Sequence, residues 1–84
     1  MRISGRVQGV GFRFAAVARA RSLALGGWVS NRADGSVEAV FEGDDEAVAS
    51  MVAWCEHGPR GAEVRDVDVR WREPEGVSRD FGVR

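Results

Sequence analysis

The sequence predicts an α+β domain of order β-α-β-β-α-β, with two helices covering one face of an antiparallel sheet. Three observations lead there. Apolar and polar residues alternate over short stretches at 2–7, 36–42 and 66–72, the period of half-buried strands. Two other stretches place apolar residues at helical spacing, Phe12, Ala16, Ala20 and Leu23 in one and Val48, Met51, Val52 and Cys55 in the other. Glycine, alone or with proline, punctuates the chain between these stretches. At 84 residues the chain makes one domain, residues 1–84.

The first strand is expected over residues 2–7, with Ile3, Gly5 and Val7 on one face and Arg2, Ser4 and Arg6 on the other. Residues 8–11 are a glycine-bearing turn. A helix follows from Phe12 to about Leu25, rich in Ala and Arg, with Arg19 and Arg21 turned to water and Gly26-Gly27 as its stop. The second strand is expected over Gly27–Arg32, then a hairpin turn at Asp34-Gly35. A third strand runs from Ser36 to Glu42, with Val37, Ala39 and Phe41 inward and Ser36, Glu38 and Glu42 outward; Val40 breaks the pattern. Asp44, Asp45 and Glu46 put negative charge at the start of the second helix, and Gly58-Pro59 ends it. Val67, Val69 and Trp71 mark a fourth strand, and the out-of-phase Val64 calls for a bulge near Asp66. Residues 73–79 read as a polar loop and Phe81–Arg84 as a short edge strand. The whole is the split βαβ, or ferredoxin-like, arrangement, which by itself says little about function.

Composition removes several chemistries. The 12 basic and 13 acidic residues leave a formal net charge of −1, which argues against nucleic-acid binding by bulk charge. All basic residues are arginine, and there is no tyrosine. A lysine base, Schiff-base catalysis, a tyrosine acid and the lysine-bearing Walker loop are therefore excluded. Cys55 is the one cysteine and His57 the one histidine, so neither an internal disulfide nor a common structural zinc site is available. No metal or other cofactor is expected. Apolar runs stop at about five residues, far short of the ~20 that a membrane helix needs. The start carries no apolar signal segment, so the expected location is the cytoplasm and the expected state a monomer.

The chemistry concentrates in Gly5-Arg6-Val7-Gln8-Gly9-Val10-Gly11-Phe12-Arg13, which joins the first strand to the first helix. Such a turn can aim several backbone N–H groups into one concavity beside the positive end of a helix, a site suited to phosphate. Arg13 adds a forked cation that holds phosphate oxygens in pairs. The same glycines also serve a plain tight turn with Arg13 in water, and spacing alone leaves both readings open. A dinucleotide fingerprint is not present, because Phe14 stands where the third glycine would be. Asn31, before the hairpin, reads as readily as a turn residue.

These residues, followed by Gly27-Trp28-Val29-Ser30-Asn31 and Asp34-Gly35, resemble the acylphosphatase family. The likeness runs on through Glu42-Gly43, Trp54-Cys55, Gly58-Pro59 and Phe81, and so covers essentially the whole chain. The 18-residue step from Arg13 to Asn31 is the family's spacing. The resemblance implies hydrolysis of the carboxyl–phosphate bond of small-molecule acyl phosphates. It implies that Arg13 binds the phosphoryl group, that Asn31 positions the attacking water, and that backbone N–H groups of Arg6, Val7, Gln8, Gly9 and Val10 hold phosphate oxygens. One departure is that only four residues precede Gly5, fewer than is usual, so the first strand is expected to be short.

Two competing functions share this topology. One is an acylphosphatase-like module of a carbamoyl-transferring, hydrogenase-maturation machine; such modules are normally fused to further domains, which favours the free enzyme for an 84-residue chain. The other is an RNA-binding module, disfavoured because the third strand carries two acids and a single aromatic. The remaining residues take structural expectations. His57 sits at a helix end, Cys55 in the core, Asp34 in the turn, and Trp28, Trp54 and Trp71 in the core or at its edge. Arg6 faces either the phosphate rim or solvent.

Overall fold

The computed structural model describes residues 1–71 and 80–84. The described elements are β1 (Arg2–Arg6), α1 (Phe12–Ser22), β2 (Gly26–Asn31), β3 (Val37–Glu42), α2 (Asp45–Cys55), β4 (Glu63–Asp68) and β5 (Phe81–Val83). They form one five-stranded sheet in the order β4-β1-β3-β2-β5. The expected β-α-β-β-α-β order is present, with β5 added at the edge. The sheet is mixed rather than wholly antiparallel, because β5 runs parallel to β2. The polar loop expected over 73–79 lies outside the described residues.

One sheet face is apolar. Ile3 pairs with Val37 and Val29 with Ala39, and all four are fully buried. Phe12, Ala16 and Ala20 of α1 and Met51 and Cys55 of α2 close over them in a single core. Phe12 meets Trp54 with ring centroids 5.3 Å apart, joining the two helices. Burial pushes the Cys55 thiol up to about 12, so this cysteine stays protonated and acts as core filling. The opposite face carries Arg2, Ser4, Ser30, Glu38 and Glu42, half-buried or exposed, as suits a sheet covered by helices on one side only.

α1 ends three residues earlier than expected. Leu25 N–H bonds to Ala20 C=O at 2.9 Å and Ala24 N–H to Arg21 C=O at 3.1 Å, the paired bonds of a Schellman cap. The left-handed position of that cap is filled by Ala24, at φ 56°, not by glycine. Gly26 and Gly27 are instead the first residues of β2. Gly27 has φ 127°, and a Cβ there would fall on the Val40 carbonyl oxygen; close backbone approach, not helix termination, explains it. The cap also turns Leu25 into the core, while Leu23 is only half-buried.

β1 is short but anchored at its start. The Met1 ammonium donates to the Ala39 carbonyl at 3.0 Å and the Ala39 N–H to the Met1 carbonyl at 2.9 Å. The bulge expected near Asp66 is present. Ser4 faces Asp66 and Gly5 faces Val64, leaving Arg65 as the extra residue. Beyond it β4 ends at Asp68, so the alternation of Val69 and Trp71 does not continue the strand. Trp71 is 72% exposed, a correction to its expected place in the core or at its edge. Trp28 and Trp54 are half-buried.

Candidate active site

β1 and β2 are both antiparallel to β3, so they are parallel to each other and their C-terminal ends share one end of the sheet. The chain leaves β1 through Val7–Gly11 and enters α1 directly at Phe12. It leaves β2 at Asn31 and turns back into β3 at Val37. The topology thus gathers the glycine loop, the first turn of α1 and the β2–β3 hairpin.

Within the loop, buried residues alternate with open ones. Val7 is buried and Val10 is packed against the core. Gly9 and Gly11 are exposed, at φ 75° and 77°, with nothing within 4 Å of where a Cβ would lie. Their left-handed dihedrals therefore call for glycine, not any crowding around them. Gly11 is the N-cap of α1, no side chain caps that helix start, and no acid lies in its first turn. The first N–H groups of a helix have no intrahelical partner, and here they carry the positive end of the dipole without a local counter-charge. α2 differs, with Asp45 and Glu46 filling its first turn. Arg13 is the second residue of α1 and half-buried. Arg6, the last residue of β1, is exposed.

Asn31 is the exposed last residue of β2, opposite Val37. Strand alternation sets it on the same face as Gly27 and Val29, the face that the helices cover. The hairpin beyond it is closed by Arg32 N–H to Ser36 C=O at 2.8 Å and Gly35 N–H to Arg32 C=O at 3.2 Å. Gly35 takes φ 92°. Asp34 Oδ1 accepts the Ser36 N–H at 2.9 Å and the Ser36 hydroxyl at 2.6 Å. These bonds, the hydroxyl's first, hold the Asp34 carboxyl below its ordinary range. Ser36, expected on the wet face, is only 5% exposed, and the bond to Asp34 satisfies its hydroxyl there. The aspartate–x–serine spacing is the sequence signal for this turn.

The loop and the hairpin are joined by Gln8. Its Nε2 donates to the Arg32 carbonyl at 2.8 Å and to the Ser36 carbonyl at 2.9 Å. Sequence reasoning assigned Gln8 only a backbone role, and nothing in the residue order marks its side chain. His57 is exposed after α2. Among the described residues no three His, Cys, Asp or Glu side chains are grouped to hold a metal ion. Among them too, no helix is long and apolar enough to cross a membrane.

The topology brings the glycine loop, the first turn of α1 with Arg13 and the strand end with Asn31 to one end of the sheet. A helix start without a side-chain cap is a feature that can take an anion. Comparison with known proteins points the same way. The acylphosphatase family model matches residues 1–83. An acylphosphatase of Roseiflexus sp. (strain RS-1) is 56% identical over 81 residues, 96% of this chain and 87% of the relative. The crystal structure of acylphosphatase from Bacillus subtilis superposes with a TM-score of 0.92 at 39% identity, over 99% of this chain and 92% of that one. The HypF of T. kodakarensis matches with a TM-score of 0.83 at 28% identity, over 100% of this chain but 12% of its own.

Proposed function

The chain belongs to the acylphosphatase family, and from that membership we propose that it hydrolyses the carboxyl–phosphate bond of small-molecule acyl phosphates, releasing a carboxylate and inorganic phosphate. The observation that carries the reading is the convergence of the glycine loop, Arg13 and Asn31 at one sheet end, with Gln8 bonded across from loop to hairpin. In this reading the backbone N–H groups of the Arg6–Val10 loop and the Arg13 guanidinium hold the phosphoryl oxygens. A loose phosphoryl-transfer transition state needs charge stabilisation and alignment above all. The carboxylate is a good leaving group, so no strong general acid is required. Asn31 orients the attacking water through its amide. An amide takes no proton at neutral pH, so the water's proton passes to a phosphate oxygen of the substrate itself.

Two further points favour this over the alternatives. The Roseiflexus acylphosphatase is 56% identical to this chain, whereas the HypF of T. kodakarensis is 28% identical. The open sheet face carries Glu38 and Glu42 on its central strand, acids where an RNA-stacking sheet presents aromatics. The test is turnover of an aryl acyl phosphate by the purified protein beside Arg13→Ala, with a single-stranded RNA titration in parallel. Release of phosphate by the wild type, lost in the variant, supports the proposal. RNA binding without turnover overturns it.

A further inference from the structure

We propose that the Gln8 side chain is a positioning residue for Asn31, setting the hairpin that ends β2 at a fixed distance from the anion loop. This rests on the reading of Asn31 as the group that orients water. Backbone pairing does not do this job. The β1–β3 ladder consists of Arg2 with Glu38 and Ile3 with Val37, after which β1 continues against β4 alone. The sheet is therefore open between β1 and β3 at the end where the loop and the hairpin meet. Gln8 spans that gap. Both hydrogens of its primary amide are used, one on Arg32 C=O and one on Ser36 C=O. The Ser36 carbonyl also accepts the Arg32 N–H that closes the hairpin. Arg32 directly follows Asn31, so the clamp acts one residue from the proposed water-binding amide.

The chemistry needs such a clamp. The loop contains Gly9 and Gly11, the residue type with the most backbone freedom, and Asn31 sits exposed at a strand end. A misplacement of about 1 Å between reacting groups can cost about 10²-fold in rate. Glutamine is specified by the two acceptors. A glutamate here would set oxygen against both carbonyls and add negative charge beside the anion site, and a methionine of similar length would donate nothing.

The experiment is a double-mutant cycle of Gln8→Met with Asn31→Ala, read by kcat and by inorganic phosphate affinity on variants shown to be folded. Gln8→Met is expected to lower kcat about tenfold or more and to leave phosphate affinity within about twofold, because backbone N–H groups and Arg13 hold the anion. The double variant is expected to be no slower than Asn31→Ala by more than about twofold, since a clamp has nothing to position once the amide is gone. Gln8→Ala, which removes the same donors without bulk, is read in the same way. Multiplying losses in the double variant, or wild-type kcat in Gln8→Met beside a crippled Asn31→Ala, would overturn this inference alone. Wild-type turnover by Asn31→Ala would overturn the water-orienting role and this inference with it.

Discussion

Phe41 and Phe81 stack with ring centroids 5.3 Å apart and planes 8° from parallel, although a whole strand separates them. The residue between them is Gly27, in register with Phe41 on one side and Phe81 on the other. The two rings meet over the backbone of a residue that has no side chain. This contact helps explain how a three-residue parallel edge strand is held. Around it, Arg21 Nε donates to the Phe81 carbonyl at 3.1 Å and Arg84 N–H to the Val29 carbonyl at 2.9 Å. The Arg84 guanidinium lies 4.8 Å from the Trp28 ring centroid.

Gly27→Ala is therefore expected to destabilise the fold more than its added methyl suggests. The residue holds φ 127°, and its Cβ would fall on the Val40 carbonyl oxygen. Strained backbone of this kind costs on the order of 1–3 kcal/mol, and the clash adds to it. Urea denaturation should show a loss of about 3 kcal/mol or more. Stability within ~0.5 kcal/mol of wild type, the range of ordinary surface substitutions, would mean that the strand moves freely aside.

Gly27 also marks where the sequence was and was not legible. Glycine after a helical stretch is the common helix stop, and the paired glycines were expected to act as one. The stop is an alanine in the left-handed position, a choice no propensity favours, and Gly27 serves instead the close approach of β2 to the Val40 carbonyl. Order, hairpin and bulge were legible, since each rests on local alternation or on a turn residue. Val69 and Trp71 show the limit of alternation: it marks a possible strand, but pairing with β1 decides where β4 stops. At the candidate site the residue types and the 18-residue step from Arg13 to Asn31 were legible. The Gln8 clamp was not, because its partners lie 24 and 28 residues away and are backbone carbonyls, which have no sequence signature.

The Asp34–Ser36 turn gives a pH dependence of known sign. Hydrogen bonds from Ser36 lower the Asp34 carboxyl from its ordinary range in the folded state. A carboxyl depressed by folding contributes stability that is fully present above its unfolded value and is lost as pH falls through the folded one. Asp34→Ala should therefore be less stable than wild type at neutral pH, and the gap should narrow below the ordinary carboxylate range. Urea melts of both proteins from pH 7 downward would show it. A gap that is constant with pH would assign the effect to the turn backbone instead of the carboxylate charge.

Inorganic phosphate and sulfate should inhibit turnover competitively, because a loop of backbone N–H groups beside an uncapped helix start fits a tetrahedral anion. Inhibition should weaken in Arg13→Ala. Purely noncompetitive inhibition would move the anion site away from the Arg6–Val10 loop.

The two proposed catalytic side chains should fail in different ways. In the proposed reaction Arg13 would hold phosphate in the ground state and the transition state alike, while Asn31 would align a water that bound phosphate does not need. Arg13→Ala should thus lose phosphate affinity and turnover together. Arg13→Lys should also fail, because one ammonium does not reproduce a planar fork. Asn31→Ala should keep phosphate affinity near wild type and lower kcat by about 10²-fold or more, roughly 2.7 kcal/mol at 1.36 kcal/mol per tenfold. Asn31 ends an edge of the hairpin and is exposed, so truncating it leaves no buried cavity and the variant should fold. Calorimetric phosphate titration and steady-state kinetics on the three variants measure both quantities. Loss of phosphate binding in Asn31→Ala as complete as in Arg13→Ala would put Asn31 in the anion site itself, and normal turnover would hand water alignment to another residue.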